Sequence, residues 1–275
     1  MPATLAVPAI KNAIKETLRT YLPPQMFVTL RWWWWYSSFY LRRRIRALAV
    51  TERPVSSGVG ALVAEAQSVN VARPTDFCRI MSRNGSDKGA GWHTYTPVYA
   101  HFLGHRLSEP LRIFELGIGT NTVGVESGMG VYGMPGASLR GWRDLFARAE
   151  IHGADIDRSI LFADHHIQTH YCDQRDAEVI RALWAQPTLR QPFDVIIDDG
   201  LHRFDANVSF LTKSLEQVRP GGLYVVEDIR AFELDQWRAY IRDHQRQYPR
   251  HEIALVQLPS PINRLDNNML IIRPH

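Results

Sequence analysis

The chain has 275 residues, 45% hydrophobic and 22% charged, which excludes bulk disorder and allows one large α/β domain plus an appendage. Its 32 Lys and Arg against 28 Asp and Glu leave a net charge of +4, too mild a basic bias to make nucleic acid an expected partner. Two cysteines, Cys78 and Cys172, exclude a disulfide framework or a Cys-rich metal site and suit a reducing, cytoplasmic compartment. Each reads as a small buried apolar residue sooner than as a nucleophile.

At the start, no charged run followed by a continuous apolar stretch marks a secretory signal. Ile10, Ile14 and Leu18 recur on one face of a predicted amphipathic helix over residues 8–22, with Lys11, Lys15 and Arg19 beside them. Pro23-Pro24 ends it. Trp32 to Trp35, Tyr36 and Tyr40, and then Arg42, Arg43, Arg44 and Arg46 follow. Arg31 interrupts an apolar stretch already shorter than the roughly 20 residues a spanning helix requires, so no transmembrane segment is expected. Aromatics beside arginines suit peripheral contact with an anionic membrane surface. The alternative is a helix packed through its tryptophans on the main domain or on a second copy in a homo-oligomer, and both readings of residues 24–46 stay open. Thr51–Gly60 holds Pro54, two serines and two glycines and reads as a linker. The expected organisation is therefore a helical N-terminal extension (residues 1–60), a helical lead-in covering a site (61–110) and a ligand-binding domain (111–275).

Beyond Arg112 the texture changes. Predicted strands at Arg112–Leu116, Glu150–Asp155, Ile167–Cys172, Phe193–Asp198 and Leu223–Glu227 alternate with predicted helices at Ser138–Ala149, Asp176–Trp184, Asp205–Val218 and Phe232–Gln247. That alternation implies parallel βαβ units. Glu252–Leu258 and Asn268–Arg273, joined by a Pro/Asn/Asp-rich turn, predict an antiparallel edge hairpin. The expected fold is an α/β doubly wound, mostly parallel, seven-stranded Rossmann-like sheet.

Glu115-Leu116-Gly117-Ile118-Gly119 closes the first of these strands with a glycine turn, which lets backbone approach a ligand closely. The dinucleotide fingerprint GxGxxG survives only as loose spacing, so the phosphate logic is weak. The second strand ends in Asp155, the position from which a carboxylate accepts ribose hydroxyls in a doubly wound fold. Asp157 is its rival, and either one alternatively caps the following segment. Asp173 and Gln174 follow the third strand, where an adenine ring would lie. Gly124 to Gly136 contains five glycines and reads as a flap over the site.

Two later strands end in acids, Asp198-Asp199-Gly200-Leu201-His202 and Glu227-Asp228. Ligands bind at the carboxyl ends of strands in open parallel sheets. Asp199, Glu227 and Asp228 would converge there, and three carboxylates staying ionised together imply a divalent cation; all-oxygen ligation favours Mg²⁺ or Mn²⁺. Each pair alone also reads as an ordinary turn or a solvated strand end. Asp198 points the other way, toward the cofactor or a backbone cap. His202, with an unperturbed pKa near 6.5, is expected to be neutral and able to accept a proton.

The ExGxG turn resembles that of class I methyltransferases, which use S-adenosylmethionine (SAM). The fuller set resembles the metal-dependent sugar O-methyltransferases of macrolide (mycinamicin-type) and polysaccharide biosynthesis. It comprises the D-D-G-x-H loop, the E-D pair 28 residues after Asp199, Gly85-Ser86-Asp87-Lys88-Gly89, His93-x-Tyr95-x-x-x-Tyr99, and Pro135-Gly136-Ala137-Ser138-Leu139-Arg140-x-Trp142-Arg143. Leu201 departs from the small polar residue expected of that family. The resemblance covers about residues 75–275. It implies a SAM site at Glu115, Gly117, Gly119, Asp155, Asp173, Gln174 and Asp198, with Lys88 near the cofactor entrance on the methionine carboxylate. It further implies Mg²⁺ (or Mn²⁺) on Asp199, Glu227 and Asp228, His202 as general base, and a sugar-containing acceptor. The alternatives are a catechol-type or other small-molecule O-methyltransferase, and a non-catalytic SAM-fold subunit that binds a glycolipid or a partner enzyme.

Overall fold

The computed structural model describes residues 53–275 apart from 90, 91, 131, 132, 261, 262 and 264. The predicted helix over residues 8–22 and the Trp/Arg segment 24–46 lie outside the described residues. The chain divides into two units, residues 1–50 and 51–275, and the second carries all that follows.

That unit begins with β1 (Val55–Val59), α1 (Ala61–Ser68), α2 (Asp76–Arg83) and α3 (Thr96–Leu103). It continues with β2 (Arg112–Leu116), α4 (Ala137–Leu145), β3 (Glu150–Asp155), β4 (Ala163–Asp164), β5 (Ile167–Tyr171), α5 (Ala177–Trp184), β6 (Phe193–Asp198) and α6 (Phe204–Ser214). Last come β7 (Val218–Val226), α7 (Leu234–Gln247), β8 (Glu252–Gln257) and β9 (Asn268–Arg273). One sheet runs β1-β8-β9-β7-β6-β2-β3-β5-β4. The β7-β6-β2-β3-β5 core is parallel, whereas the β1–β8, β8–β9, β9–β7 and β4–β5 pairs are antiparallel.

The period-2 alternation of each strand sends successive apolar side chains to opposite faces. Ile113, Ile197 and Val225 pack on one side with Trp142, Phe146 and Tyr99. Phe114, Ile196 and Tyr224 pack on the other with Trp184, Phe210 and Trp237. Both faces are covered, which is why the parallel strands read as nearly unbroken apolar runs.

The sheet has nine strands where seven were expected, because two short antiparallel strands, β1 and β4, extend its edges. β1 corrects the reading of Thr51–Gly60 as a linker: Val55 to Val59 pair in register with Gln257 to Ile253. Backbone pairing to an open edge outweighs the Ser/Gly composition there. In consequence the β8–β9 hairpin sits inside β1 and is not the edge. β7 also starts five residues before Leu223, at Val218, which pairs with Phe193 across a register shift. Among the described residues no helix is long and apolar enough to cross a membrane.

Candidate active site

The tips of the parallel strands are laced by backbone hydrogen bonds. Gly117 N donates to Ala154 O (2.8 Å), Asp199 N to Leu116 O (2.8 Å) and Glu227 N to Asp198 O (2.9 Å). Gly117 has φ +84°, and a Cβ there would lie 2.0 Å from the Asp199 carbonyl oxygen. The glycine turn therefore rests directly on the loop that carries the acids, a contact no other residue permits. Asp155 ties the same turn to β3: one oxygen accepts Ile118 N (3.0 Å) and the other Asp157 N (2.9 Å). Asp157 accepts from Thr120 Oγ1 (2.5 Å) and from the Ser159 backbone and hydroxyl. Those donors hold its carboxyl below the usual carboxylate range.

Above these tips lies a cavity of about 780 Å³, running from Cys172, Asp173 and Gln174 at one end to Asp228 at the other. That volume suits a cofactor-sized ligand together with part of an acceptor. Asp155, Asp157, Gly117 and Gly119 line it. The predicted flap contributes Val125 to Met129 and is pinned by Ser127 Oγ donating to Leu201 O (2.9 Å). Gln174 braces the floor, its amide nitrogen on both Asp198 oxygens and its oxygen on Leu201 N (2.8 Å). Asp173 is paired with Arg175. Burial pushes the Cys172 thiol up to about 12, which removes it as a nucleophile.

At the far end Asp199, His202 and Asp228 each offer one ligand atom, all within 4.8 Å of one another. His202 and Asp228 both have left-handed backbone, at φ +57° and +53°. Non-glycine residues held there store strain that surrounding structure must enforce, and such residues gather at functional sites. Tyr95 enforces one of them: its hydroxyl donates to Asp228 Oδ1 (2.7 Å) and accepts from Asp228 N (3.1 Å). His93 Nδ1 stands 3.4 Å from the same carboxylate.

Behind this trio sits Lys88, its side chain 3% exposed. Its ammonium donates to Asp199 Oδ2 (2.6 Å) and to Glu227 Oε2, with Glu115 Oε1 at 3.5 Å. Glu227 is fully buried and its second oxygen accepts from Tyr99 (2.6 Å). Glu115 is likewise buried, accepting from Ser138 Oγ (2.5 Å) and Trp142 Nε1 (2.6 Å). Burial disfavours the Lys88 ammonium, but Asp199, Glu115 and Glu227 outweigh it and hold its pKa well above the ordinary range. Burial pushes Glu227 up against the pull of Lys88. It also pushes Asp199 up, yet Lys88 and His202 win and hold that carboxyl below its usual range.

Four sequence expectations change. Lys88 lines the cavity, but its ammonium is taken up by Asp199, Glu227 and Glu115 and is not left free for a methionine carboxylate. Glu115 does not line the cavity and instead anchors Lys88 to α4. Of the two alternatives for Asp198 the structure shows the backbone cap: it lies beneath the floor, fully buried, capping Gly200 N and gripped by Gln174, and burial raises its pKa to about 7. His202 is not unperturbed: burial lowers its pKa, but Asp228 and Asp199 beside it raise it to about 10. Glu227, expected as a third metal ligand, instead sits beside the Asp199–His202–Asp228 group with its oxygens turned toward Lys88 and Tyr99.

The sequence reading assigned no role to Tyr95, Tyr99, Ser138, Trp142 or His93. A signal existed: Tyr95 and Tyr99, and Ser138 and Trp142, each stand four apart at a helix start and so share a face. When ionised, Glu115, Asp199, Glu227 and Asp228 exceed the charge of Lys88 and His202 by two. That acid excess, and the two carboxylates of Asp199 and Asp228 facing the cavity, fit a divalent cation.

The fold is that of the Rossmann-like methyltransferases. A methyltransferase of the mycinamycin biosynthetic pathway, solved with Mg and SAH, superposes with a TM-score of 0.54 at 27% identity, covering 74% of this chain and 55% of that one. Its complex with Mg, SAH and mycinamycin VI gives the same TM-score at 26% identity over 74% and 54% of the two chains. In sequence, the chain is similar to an 8-demethyl-8-(2-methoxy-alpha-L-rhamnosyl)-tetracenomycin-C 3'-O-methyltransferase of Streptomyces olivaceus, 34% identical over 62% of this chain and 39% of that protein. The mycinamicin VI 2''-O-methyltransferase of Micromonospora griseorubida is 34% identical over 62% and 38%. The chain thus spans about two fifths of the length of the curated relatives it matches. No family model matches it.

Proposed function

We propose that the chain is a SAM- and divalent-metal-dependent O-methyltransferase acting on a sugar hydroxyl of a glycoside or glycosylated natural product. One observation carries this reading: Asp199, His202 and Asp228 converge on a cavity that also contains the glycine turn and Asp155. The names of the relatives support the sugar acceptor. SAM supplies the electrophilic methyl group, and a divalent cation supplies a Lewis acid that lowers the pKa of the acceptor hydroxyl.

The chain's own residues do the rest. Gly117 and Gly119 would allow close seating of the amino-acid end, and Asp155 would accept the ribose hydroxyls with the lone pairs that Ile118 N and Asp157 N leave free. Asp199 and Asp228 would hold the metal, with Glu227 behind them. His202 takes the hydroxyl proton as the oxygen attacks. Incubating the protein with labelled SAM, Mg²⁺ and a panel of glycosides tests the reading; no transfer to any glycoside by folded, SAH-binding protein rejects it.

The base role carries its own prediction. His202 is raised because two carboxylates face it, so in EDTA its ring is expected to titrate near 10 and to be protonated at pH 7. A divalent charge on Asp199 and Asp228 cancels that attraction and lowers the pKa, freeing the ring to accept a proton. Imidazole NMR titration with and without Mg²⁺ checks this; an ordinary value in EDTA contradicts the geometry. His202→Ala is expected to lower kcat by about 10²- to 10⁴-fold while leaving SAH affinity unchanged.

We infer further that residues 24–46 meet an anionic bilayer through Trp32–Trp35 and Arg42–Arg46. The expected result is flotation with anionic liposomes that weakens with salt. Absence of flotation leaves the packing role.

A further inference from the structure

Trp92 lines the cavity, half-buried, on the segment joining α2 to α3. Among the described lining residues the other rings, His93, Tyr95 and His202, are all engaged with Asp228. His93 stacks on Tyr95 at 4.7 Å, and Trp92 meets His93 edge-on at 6.4 Å and 83°. The segment is fixed by Thr94 N donating to Asn267 Oδ1 (3.0 Å) and Tyr95 N to Lys88 O (3.1 Å). Trp92 therefore lines the same cavity as the trio, its ring against His93, and none of the hydrogen bonds or ion pairs described for the trio uses it.

The strand ends that its neighbours meet decide which ligand it faces. The trio sits at the ends of β6 and β7, and Asn267 immediately precedes β9. Asp173 and Gln174 follow β5, four strands from β7 in the order β7-β6-β2-β3-β5. At about 4.8 Å per step that is roughly 19 Å. A cofactor laid across β2, β3 and β5 leaves Trp92 out of reach of its adenine. The ring belongs to the acceptor side.

We propose that Trp92 is the platform for the acceptor sugar. The apolar C–H face of a pyranose lies on the indole while its hydroxyl edge turns toward Asp199, His202 and Asp228. An apolar surface with a few convergent polar groups is how small-molecule sites combine affinity and orientation. The assignment rests on the reading of the chain as a sugar O-methyltransferase.

The test uses the full chain, labelled SAM, Mg²⁺ and methyl pyranosides bearing vicinal hydroxyls. Trp92→Ala is expected to raise the acceptor KM roughly 10- to 100-fold, with a much smaller fall in kcat. Trp92→Phe is expected to recover most of the KM. SAH affinity by calorimetry and the melting temperature should match wild type in both variants, which a merely structural tryptophan would not allow. A wild-type acceptor KM in Trp92→Ala overturns the platform and leaves the methyltransferase reading standing. Wild-type protein that methylates planar catechols but no pyranoside overturns both.

Discussion

Lys88→Met is expected to cost the protein about 3–5 kcal/mol, because it strips the cation from buried carboxylates that cannot move apart. Lys88 is 3% exposed and is within 3.5 Å of oxygens on Asp199, Glu227 and Glu115. Methionine fills the space but supplies no charge and no donors. For a domain of this size the loss corresponds to roughly 6–20 °C in melting temperature. The deficit has a defined pH dependence. Without Lys88 the folded-state pKa values of Glu115 and Glu227 rise further, so unfolding is favoured where both would be ionised, at neutral pH and above. The deficit shrinks as pH falls through those raised folded-state values and the carboxyls take up protons. Melting curves from pH 8 to pH 5 should therefore converge on wild type. Millimolar Mg²⁺ should narrow the gap as well, by restoring positive charge to Asp199. A variant as stable as wild type at pH 8 would show that Lys88 does not compensate the cluster.

Asp228→Asn isolates the chemistry from the fold. Asparagine keeps the volume, accepts the Tyr95 hydrogen bond through its oxygen, and tolerates the left-handed backbone that Asp228 adopts at φ +53°. What it loses is charge. Metal affinity is expected to collapse in a Mn²⁺ titration followed by electron paramagnetic resonance. Turnover should fall by roughly 10³-fold or more, since activating the hydroxyl through the metal is worth several kcal/mol. SAH binding should persist, because Asp155 and the glycine turn belong to β3 and β2. Asp199→Asn should behave alike in metal affinity and turnover, but with an added loss of stability through its contact with Lys88. Mn²⁺ bound by Asp228→Asn as tightly as by wild type would remove Asp228 from the ligand set.

Much of this was legible in one dimension. β2, β3, β6 and β9 begin and end where alternation and turn residues put them, because period-2 apolar patterning and glycine stops are local properties of the chain. Asp199, His202 and Asp228 were likewise found as candidates, since the ends of parallel strands gather ligands whatever the loops do. The added strand β1 was not legible. Val55–Val59 has the composition of a linker and becomes a strand only because β8 leaves an edge open beside it.

The electrostatic assignments were the least legible of all. Read singly, Lys88 is a lysine near a cofactor, Glu115 is a cofactor acid, and His202 is a neutral base. Burial and mutual distance reverse each reading. Three carboxylates seize one ammonium, one of them, Asp199, joins Asp228 in holding a proton on an imidazole, and Asp198 spends its oxygens on Gly200 and Gln174. Local sequence determined which elements form and which strand ends carry acids, because propensity and periodicity act over a few residues. Only the tertiary structure decided which charges meet, since a pKa depends on neighbours brought from over 100 residues away, as Lys88 is to Asp199 and Glu227.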